Sequence, residues 1–314
     1  MKFLVTGGAG FIGSNLVETL VRRGDSVVVL DNFSTGKREN LEPVAGRVKV
    51  IDGSITDLPT VRRVMEGVDF VLHQAALASV QRSVDDPLTS NEVNVKGTLN
   101  VLVGARDAGV KRVVYAASSS AYGDTEELPK HETVLPRPMS PYAVQKWVGE
   151  QYCKVFSDLY GLDSVALRYF NVFGPRQDPN SHYAAVIPIF VTRLLGDATP
   201  TIFGDGEQSR DFTFIDNVVS ANLKACEGGP KNGRVVNVAC GERFTLNELH
   251  RTLCNLIGTN RGPNYDDPRP GDVRHSMADI SRARDLLGFE PEVDFRAGLE
   301  RTIEWYRTVL SASR

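Results

Sequence analysis

The sequence predicts an α/β fold, in which a doubly wound parallel sheet is followed by a smaller C-terminal α/β lobe. Two observations predict it. Short apolar or β-branched runs alternate with stretches of helical spacing through the first 170 residues, and a glycine-rich turn joins the first run to the first such stretch. Near-continuous apolar strands between helices indicate a parallel sheet that is covered on both faces.

The predicted strands of the first half are residues 3–6, 27–31, 48–51, 70–73, 113–118 and 165–168. A helical stretch over 11–23 ends at Gly24, and a longer one over 88–108 ends at Gly109. Glycine commonly ends helices because it adopts a left-handed conformation without strain.

After about residue 170 the elements become shorter, with helical stretches near residues 186–195, 217–226, 246–257 and 298–310. We therefore predict a first domain over residues 1–170 and a substrate-binding lobe over residues 171–314. Nothing resembles a flexible linker, so the chain is expected to cross between the two parts more than once.

Composition excludes several classes of protein. The 314 residues are 41% apolar and 24% charged with a net charge of -3, so no basic field for nucleic acid is expected. No apolar run approaches the roughly 18 residues of a membrane span. The four cysteines are scattered without a CxxC pair, which predicts neither a metal site nor a disulfide framework. The N-terminus runs into the glycine turn without the regions of a signal peptide, so a cytoplasmic location is expected.

The glycine turn at residues 7–13 predicts a Rossmann-type dinucleotide site. It follows a strand, opens a helix, and is succeeded by Asp31 at the end of the second strand. The helix N-terminus offers N–H groups to a pyrophosphate. Asp31 accepts hydrogen bonds from a ribose diol and repels a 2′-phosphate, which favours NAD, while the nearby Lys37 and Arg38 leave NADP as an alternative.

Tyr142 and Lys146 stand four residues apart, after a proline suited to the first turn of a helix, and so share one helical face. A lysine ammonium and a nicotinamide cation would both stabilise a phenolate, making Tyr142 a general base. One of the serines of residues 118–120, at the carboxyl end of a predicted strand, would relay the proton.

These motifs carry a resemblance that extends over essentially the whole chain. The sequence resembles the extended short-chain dehydrogenase/reductases of the NAD-dependent epimerase/dehydratase family, and is most similar to the 4-epimerases of UDP-glucose and UDP-N-acetylglucosamine. The motifs are TGGAGFIG at residues 6–13, HQAA at 73–76, the serine run, the Tyr142/Lys146 pair, and RYFN at 168–171.

The resemblance implies a set of NAD contacts and a catalytic trio. The cofactor positions are Gly7, Gly10, Phe11, Ile12, Gly13, Asp31, Asn32, Ser54, Ile55, Gln74, Ala75, Asn94, Tyr142 and Lys146. The catalytic residues are Ser118, with Ser119 as a rival, Tyr142 and Lys146. Two positions depart from the family pattern: Ser54 replaces a frequent aspartate, and Ala78 replaces a lysine common in glucose-type epimerases.

The resemblance also implies contacts to a UDP-sugar. These fall on Ser118, Ser119, Asn171, Val186, Ile187, Arg210, Arg269, Asp272 and Ser276. Arginine suits bidentate phosphate binding. Ser276 stands where epimerases restricted to unsubstituted hexoses have a tyrosine, which favours UDP-N-acetylglucosamine and UDP-N-acetylgalactosamine, with UDP-glucose and UDP-galactose as second substrates.

The implied reaction is inversion at sugar C4 through a transient 4-keto sugar, by a homodimer packed through helices 88–108 and 142–160, with precursor supply for a surface polysaccharide as its role. Three alternatives stay open. A dehydratase would need an acid/base pair where Ser119 and Ser120 stand. A UDP-glucuronate 4-epimerase would need a carboxylate partner such as Arg274 or His275. A regulatory protein that binds NAD would need no catalytic trio.

Overall fold

The computed structural model describes residues 1–179, 185–268 and 273–312, so the predicted substrate contacts Arg269 and Asp272 lie outside the described residues. The strands are β1 (Lys2–Thr6), β2 (Ser26–Asp31), β3 (Lys49–Asp52), β4 (Phe70–His73), β5 (Arg112–Ser118), β6 (Ser164–Tyr169), β7 (Val172–Phe173), β8 (Thr201–Phe203), β9 (Ser209–Arg210), β10 (Thr213–Phe214), β11 (Arg234–Val238), β12 (Phe244–Thr245) and β13 (Asn264–Asp266).

The α-helices are α1 (Phe11–Arg22), α2 (Leu58–Val64), α3 (Val80–Asp85), α4 (Pro87–Asn91), α5 (Thr98–Asp107), α6 (Pro141–Tyr160), α7 (Val186–Leu195), α8 (Ile215–Cys226), α9 (Leu246–Ile257), α10 (Ser281–Leu287) and α11 (Phe295–Ala312). Two 3₁₀ segments, Arg38–Val44 and Ser119–Tyr122, and one π-helical segment, Glu92–Gly97, complete the described helices. None of the helices in the described ranges is both long enough and apolar enough to cross a membrane.

The central sheet confirms the predicted fold class. Its seven strands lie in the order β11-β6-β5-β4-β1-β2-β3, and every pair is parallel. The order reverses between β1 and β4, and open α/β sheets bind ligands in the crevice at such a reversal, beyond the carboxyl ends of the strands. The six predicted strands correspond to β1–β6, whereas β11 was not predicted.

Two apolar cores cover the two faces of the sheet, because strands such as β1 and β6 are buried along almost their whole length. One core lies under α2, α5 and α6 and includes Val61 and Phe156. The other joins Leu16 of α1 to Val218 of α8 and Leu299 of α11. The C-terminal residues therefore share a core with the sheet, and the division into residues 1–170 and 171–314 stays a prediction about roles.

Helix α6 begins as the sequence predicts. Pro141 is its first residue, and the Ser140 side chain caps it by accepting a hydrogen bond of 3.1 Å from the Ala143 amide. The helix ends at Gly161, whose φ of 67° is left-handed. This rigid start holds Tyr142 and Lys146 one turn apart at the carboxyl edge of the sheet.

The predicted helix over 88–108 is divided into α4, the π-helical segment and α5. At the junction Gly97 packs directly on Ile55, since a Cβ atom at Gly97 would lie 2.5 Å from the Ile55 side chain. A π-helical turn widens the helix locally, and such turns are common at functional sites. The turn contains Asn94, whose side chain binds the main chain of Leu77.

Candidate active site

A cavity of about 380 Å³ occupies the crevice at the carboxyl ends of the central strands. Most of the predicted cofactor residues line it: Gly7, Gly10, Phe11, Ile12, Gly13, Asp31, Asn32, Ser54, Ile55, Gln74, Ala75, Tyr142 and Lys146. Ala78, at the second departure from the family pattern, lines it as well. The tertiary fold therefore gathers these residues from five separate segments of the chain around one space.

The glycine turn forms a cradle that larger residues would fill. A Cβ atom at Gly13 would lie 2.1 Å from the Gly7 carbonyl oxygen, and Gly7 itself has a left-handed φ of 67°. The turn leads into α1, whose N-terminal Gly10 has no side chain to cap the helix. The first N–H groups of this helix are thus directed at the cavity, and the cradle fits the pyrophosphate of a dinucleotide.

Asp31, the predicted contact for a ribose, is buried at the end of β2. One carboxylate oxygen accepts a hydrogen bond of 2.8 Å from the Ala9 amide, and the other accepts one of 2.8 Å from the Phe33 amide. Each oxygen has a second lone pair for a ribose hydroxyl. The two basic side chains nearby form ion pairs, Lys37 with Asp178 at 3.0 Å and Arg38 with Asp52 at 2.6 Å. Because each positive charge is paired, the two side chains attract a 2′-phosphate less strongly. The site therefore favours NAD over NADP.

Asn94 does not line the cavity. It is buried, and its side-chain amide binds the main chain of Leu77 through a donated bond of 3.1 Å and an accepted bond of 2.8 Å. The same amide donates to the side-chain oxygen of Gln145 at 2.8 Å. Asn94 thus supports the wall segment that contains Leu77, and its direct contact with a cofactor stays a prediction.

Ser118, Tyr142 and Lys146 meet beside this cavity. Ser118 is the last residue of β5, and its hydroxyl oxygen accepts hydrogen bonds from the Ser120 amide at 3.2 Å and the Ser120 hydroxyl at 2.8 Å. The Ser118 side chain also lies close enough to the Tyr142 phenol to lower its pKa. Of the three serines, Ser118 is therefore the one that contacts the proposed base, and Ser120 orients it.

Lys146 is almost fully buried. Its ammonium donates a hydrogen bond of 2.8 Å to the Ala116 carbonyl and lies 5.9 Å from the centre of the Tyr142 ring. Burial lowers the pKa of Lys146 to about 8, although the Glu150 carboxylate opposes this change. The ammonium form therefore predominates at neutral pH, where its charge favours a nearby phenolate.

As a general base, Tyr142 would need the positive charge of the Lys146 ammonium. Burial raises the pKa of its phenol to about 12, although the nearby Ser118 side chain lowers it in part. A base with so high a pKa is protonated at pH 7 and takes up no further proton. Tyr142 would therefore act as a base only if a second positive charge joined that of Lys146, and a nicotinamide cation would supply it.

A second cavity, of about 470 Å³, adjoins the first, and Ala185 lines both. Four of the predicted substrate residues line this cavity: Asn171, Val186, Ile187 and Arg210. Its other walls are largely apolar, with Phe190 and Phe212 among them. An apolar slot with an arginine at its wall suits a planar base joined to a phosphate.

Ser276 and Ser119 are the two remaining predicted substrate residues within the described part of the chain. The Ser276 amide donates to the Ser209 carbonyl at 3.0 Å, so Ser276 runs beside β9, whose second residue is Arg210. Ser119 begins the 3₁₀ segment directly after Ser118. Neither residue lines one of the two cavities described above, and their contacts with a sugar stay predictions.

Sequence reasoning missed one part of the cofactor cavity, the segment of residues 175–178. Arg176 pairs with Glu18 of α1, and the Asn15 side chain donates to the Pro175 carbonyl at 3.3 Å. The segment therefore lies across α1 next to the glycine cradle, and Arg176, Gln177 and Asp178 line the cavity. The only signal in the sequence was a Gly-Pro pair at residues 174–175, which indicates a turn without its location.

The fold and the site together define a dinucleotide-dependent enzyme of the short-chain dehydrogenase/reductase type. A family model described as the NAD dependent epimerase/dehydratase family matches residues 3–239. The chain belongs to this family, which confirms the predicted family and the predicted cofactor, NAD.

Among its relatives, the UDP-glucose 4-epimerase of Mycolicibacterium smegmatis is 41% identical over 316 residues, covering 98% of this chain and 99% of the relative. The crystal structure of the Thermotoga maritima UDP-glucose 4-epimerase with UDP-glucose superposes with a TM-score of 0.94 at 41% identity, covering 99% of this chain and 100% of that one. The UDP-N-acetylglucosamine 4-epimerase of Methanobrevibacter ruminantium, in complex with UDP-N-acetylmuramic acid, gives a TM-score of 0.94 at 41% identity and covers 98% of both chains.

Proposed function

We propose that this protein is a UDP-hexose 4-epimerase that favours UDP-N-acetylglucosamine and UDP-N-acetylgalactosamine, with UDP-glucose and UDP-galactose as second substrates. One observation carries the proposal: the Ser118, Tyr142 and Lys146 side chains meet beside a dinucleotide cavity that adjoins an apolar slot with Arg210 at its wall. A cytoplasmic location stays a prediction from the sequence.

In the proposed reaction the proton of the sugar 4-hydroxyl passes to Tyr142, and Ser118, whose side chain lies next to the phenol, relays it. The Lys146 ammonium, fixed on the Ala116 carbonyl, stabilises the phenolate. When bound, NAD supplies the acceptor and the later donor of the C4 hydride. Between the two half-reactions the keto sugar turns about its bond to the diphosphate, which Arg210 holds in place. Tyr142 then returns the proton to the oxygen of the inverted centre.

The surroundings of Arg274 and His275 favour a neutral sugar over a uronic acid. Arg274 forms a bidentate ion pair with Asp205, at 2.9 Å and 2.8 Å. Partial burial lowers the pKa of His275, and Arg243 and Arg274 lower it further, so the imidazole is neutral at pH 7. Neither residue offers a sugar carboxylate an uncommitted positive charge. A dehydratase is disfavoured because serines stand at 119 and 120, where elimination needs an acid/base pair.

We also propose a homodimer, as the family resemblance implies. An apolar stripe along α6, formed by Val144, Val155 and Leu159, is exposed, and Leu159 alone is 72% exposed. Leu88 of α4, which packs beside α6, is 82% exposed. A second copy of the chain would cover this surface and remove large side chains from water.

The direct test of the proposed function is a panel of substrates. Purified protein is incubated separately with UDP-N-acetylglucosamine, UDP-N-acetylgalactosamine, UDP-glucose, UDP-galactose and UDP-glucuronate, and the C4 epimers are separated by chromatography. We expect interconversion within the N-acetylated pair to be fastest, without net reduction of added NAD. Turnover of UDP-glucuronate alone, or release of water from the sugar, would contradict the proposal.

The substrate preference has its own test at Ser276. Replacing it with a bulky side chain, Ser276→Tyr, should reduce kcat/KM for the N-acetylated sugars by at least about tenfold, since pocket size discriminates substrates by steric exclusion. Activity on UDP-glucose should remain, which also shows that the variant folds. Ser276→Ala is the matched control and should leave both activities unchanged. If Ser276→Tyr retains the N-acetylated activity, Ser276 does not determine the preference.

A further inference from the structure

Three chain segments that contain proposed substrate residues, those of Asn171, Arg210 and Ser276, meet at one buried residue, Asp211. Asp211 is fully buried between β9 and β10. It directly follows Arg210 in the chain, and its own carbonyl accepts a hydrogen bond of 3.1 Å from the Asn171 side chain. Asp211 therefore contacts the strand end that contains Arg210 and the turn that contains Asn171.

The carboxylate joins two further segments to this point. One oxygen accepts a hydrogen bond of 2.9 Å from the Cys240 amide. The other accepts bonds of 3.0 Å from the Gly241 amide and 3.2 Å from the Ala278 amide. Ala278 lies two residues after Ser276, so the position of Ser276 beside β9 depends on the same carboxylate.

An amide side chain of the same shape would not satisfy all three of these contacts. An ionised carboxylate has only acceptor sites and can receive all three N–H groups, whereas an amide of the same shape replaces one oxygen with a donor. Burial is costly to the charged form and raises the pKa of Asp211 to about 7, and the three amides oppose this change. The three amides thus stabilise a carboxylate form that burial disfavours, at a point where segments of the substrate cavity are joined.

We propose that Asp211 is a positioning residue for the sugar nucleotide that does not touch the substrate itself. Its main-chain carbonyl holds Asn171, and its carboxylate holds the segments of Cys240 and Ala278 against the strand end of Arg210, which keeps Arg210, Asn171 and Ser276 in register. The proposal rests on the proposed function. A sugar that turns between two half-reactions needs a diphosphate that does not move. The carboxylate would supply that rigidity, because it joins segments that lie far apart in the sequence.

The test is Asp211→Asn, which keeps the shape of the side chain and places a donor against a backbone N–H. Hydrogen bonds to a charged group are strong, so we expect KM for the UDP-sugar and Kd for UDP to rise at least about tenfold. We expect kcat to change by less than about threefold, with NAD retained as in the wild type, because Asp211 lies outside the cofactor cavity. UDP binding is measured by calorimetry and does not require turnover.

Asp163→Asn is the matched control. Asp163 also accepts backbone hydrogen bonds, from the Lys231 and Asn232 amides at 2.8 Å each. It directly precedes β6, so it lies at the N-terminal ends of the strands, on the opposite side of the sheet from the carboxyl ends where the cofactor cavity lies. This variant should lose stability and keep the wild-type KM and Kd. The contrast separates a positioning role from a general effect on folding.

Several results would overturn the proposal. UDP affinity and KM within about twofold of the wild type in Asp211→Asn would do so, as would an equal loss of kcat and NAD retention. If this variant does not fold, Asp211→Glu keeps the charge and displaces the oxygens, and an unchanged KM there would also overturn it. A wild-type protein that binds UDP without epimerising would refute the proposed function alone, and one that binds no UDP would refute both.

Discussion

Replacing Tyr142 with phenylalanine should reduce kcat for epimerisation by about 10²- to 10⁴-fold, the usual contribution of a positioned acid/base group. This corresponds to about 3 to 5 kcal/mol of the activation barrier. The ring would still fill its place at the start of α6, and only the hydroxyl next to Ser118 would be lost. The measurement is the initial rate of interconversion of UDP-N-acetylglucosamine and UDP-N-acetylgalactosamine at pH 8.

The control for this variant is Tyr160→Phe, at the far end of the same helix. Tyr160 is half exposed and lies away from both cavities, so its hydroxyl should not affect the rate. Retention of NAD should be similar in both variants, because most of the cavity that would hold it is unchanged. Near-native turnover by Tyr142→Phe would show that another group removes the proton.

The second large effect is expected at the buried ion pair of Glu150 and Arg168. Their side chains form two hydrogen bonds, of 2.8 Å and 2.7 Å, and the residues are 1% and 2% exposed. The guanidinium also lies 4.4 Å from the centre of the Tyr122 ring. Glu150→Gln would leave the arginine charge buried without a counter-ion, and we expect a loss of about 3 to 5 kcal/mol in the free energy of unfolding.

Thermal denaturation measures this effect, and the midpoint should fall by on the order of 10 °C. The control is Asp158→Asn, which breaks an exposed ion pair with Lys154 in the same helix. Exposed pairs of this kind contribute about 0.5 kcal/mol or less, so its midpoint should hardly change. If Glu150→Gln melts within about 2 °C of the wild type, the buried arginine has another means of neutralisation.

The same variant should change the pH profile of catalysis. The Glu150 carboxylate lies one turn along α6 from Lys146. It raises the pKa of Lys146, whereas burial lowers it, and the result is a pKa of about 8. Without that carboxylate the pKa falls further. The ammonium charge is then lost at a lower pH, and the alkaline limb of kcat should move toward neutral pH.

Much of the cofactor site could be predicted from sequence because its signals are local in the chain. The glycines of residues 7–13 lie within one turn, and Asp31 ends the next strand. Tyr142 and Lys146 lie four residues apart after a helix start that Pro141 marks. In a parallel sheet the carboxyl ends of all strands lie at one edge. Local patterns of this kind were therefore sufficient to place the residues in one crevice.

The tertiary structure alone decided the remaining arrangement. Strand β11 joins the sheet beside β6, although its short Val-rich run over residues 234–238 was not predicted as a strand. The Glu150–Arg168 pair and the contact of Asp211 with Ala278, 67 residues away, join side chains and amides that no periodicity relates. Sequence patterns determined which elements form and which chemistry they contain, because helix and strand periods are short-range. The packing of distant segments determined which of those groups touch, since a hydrogen bond across the chain depends on the whole fold.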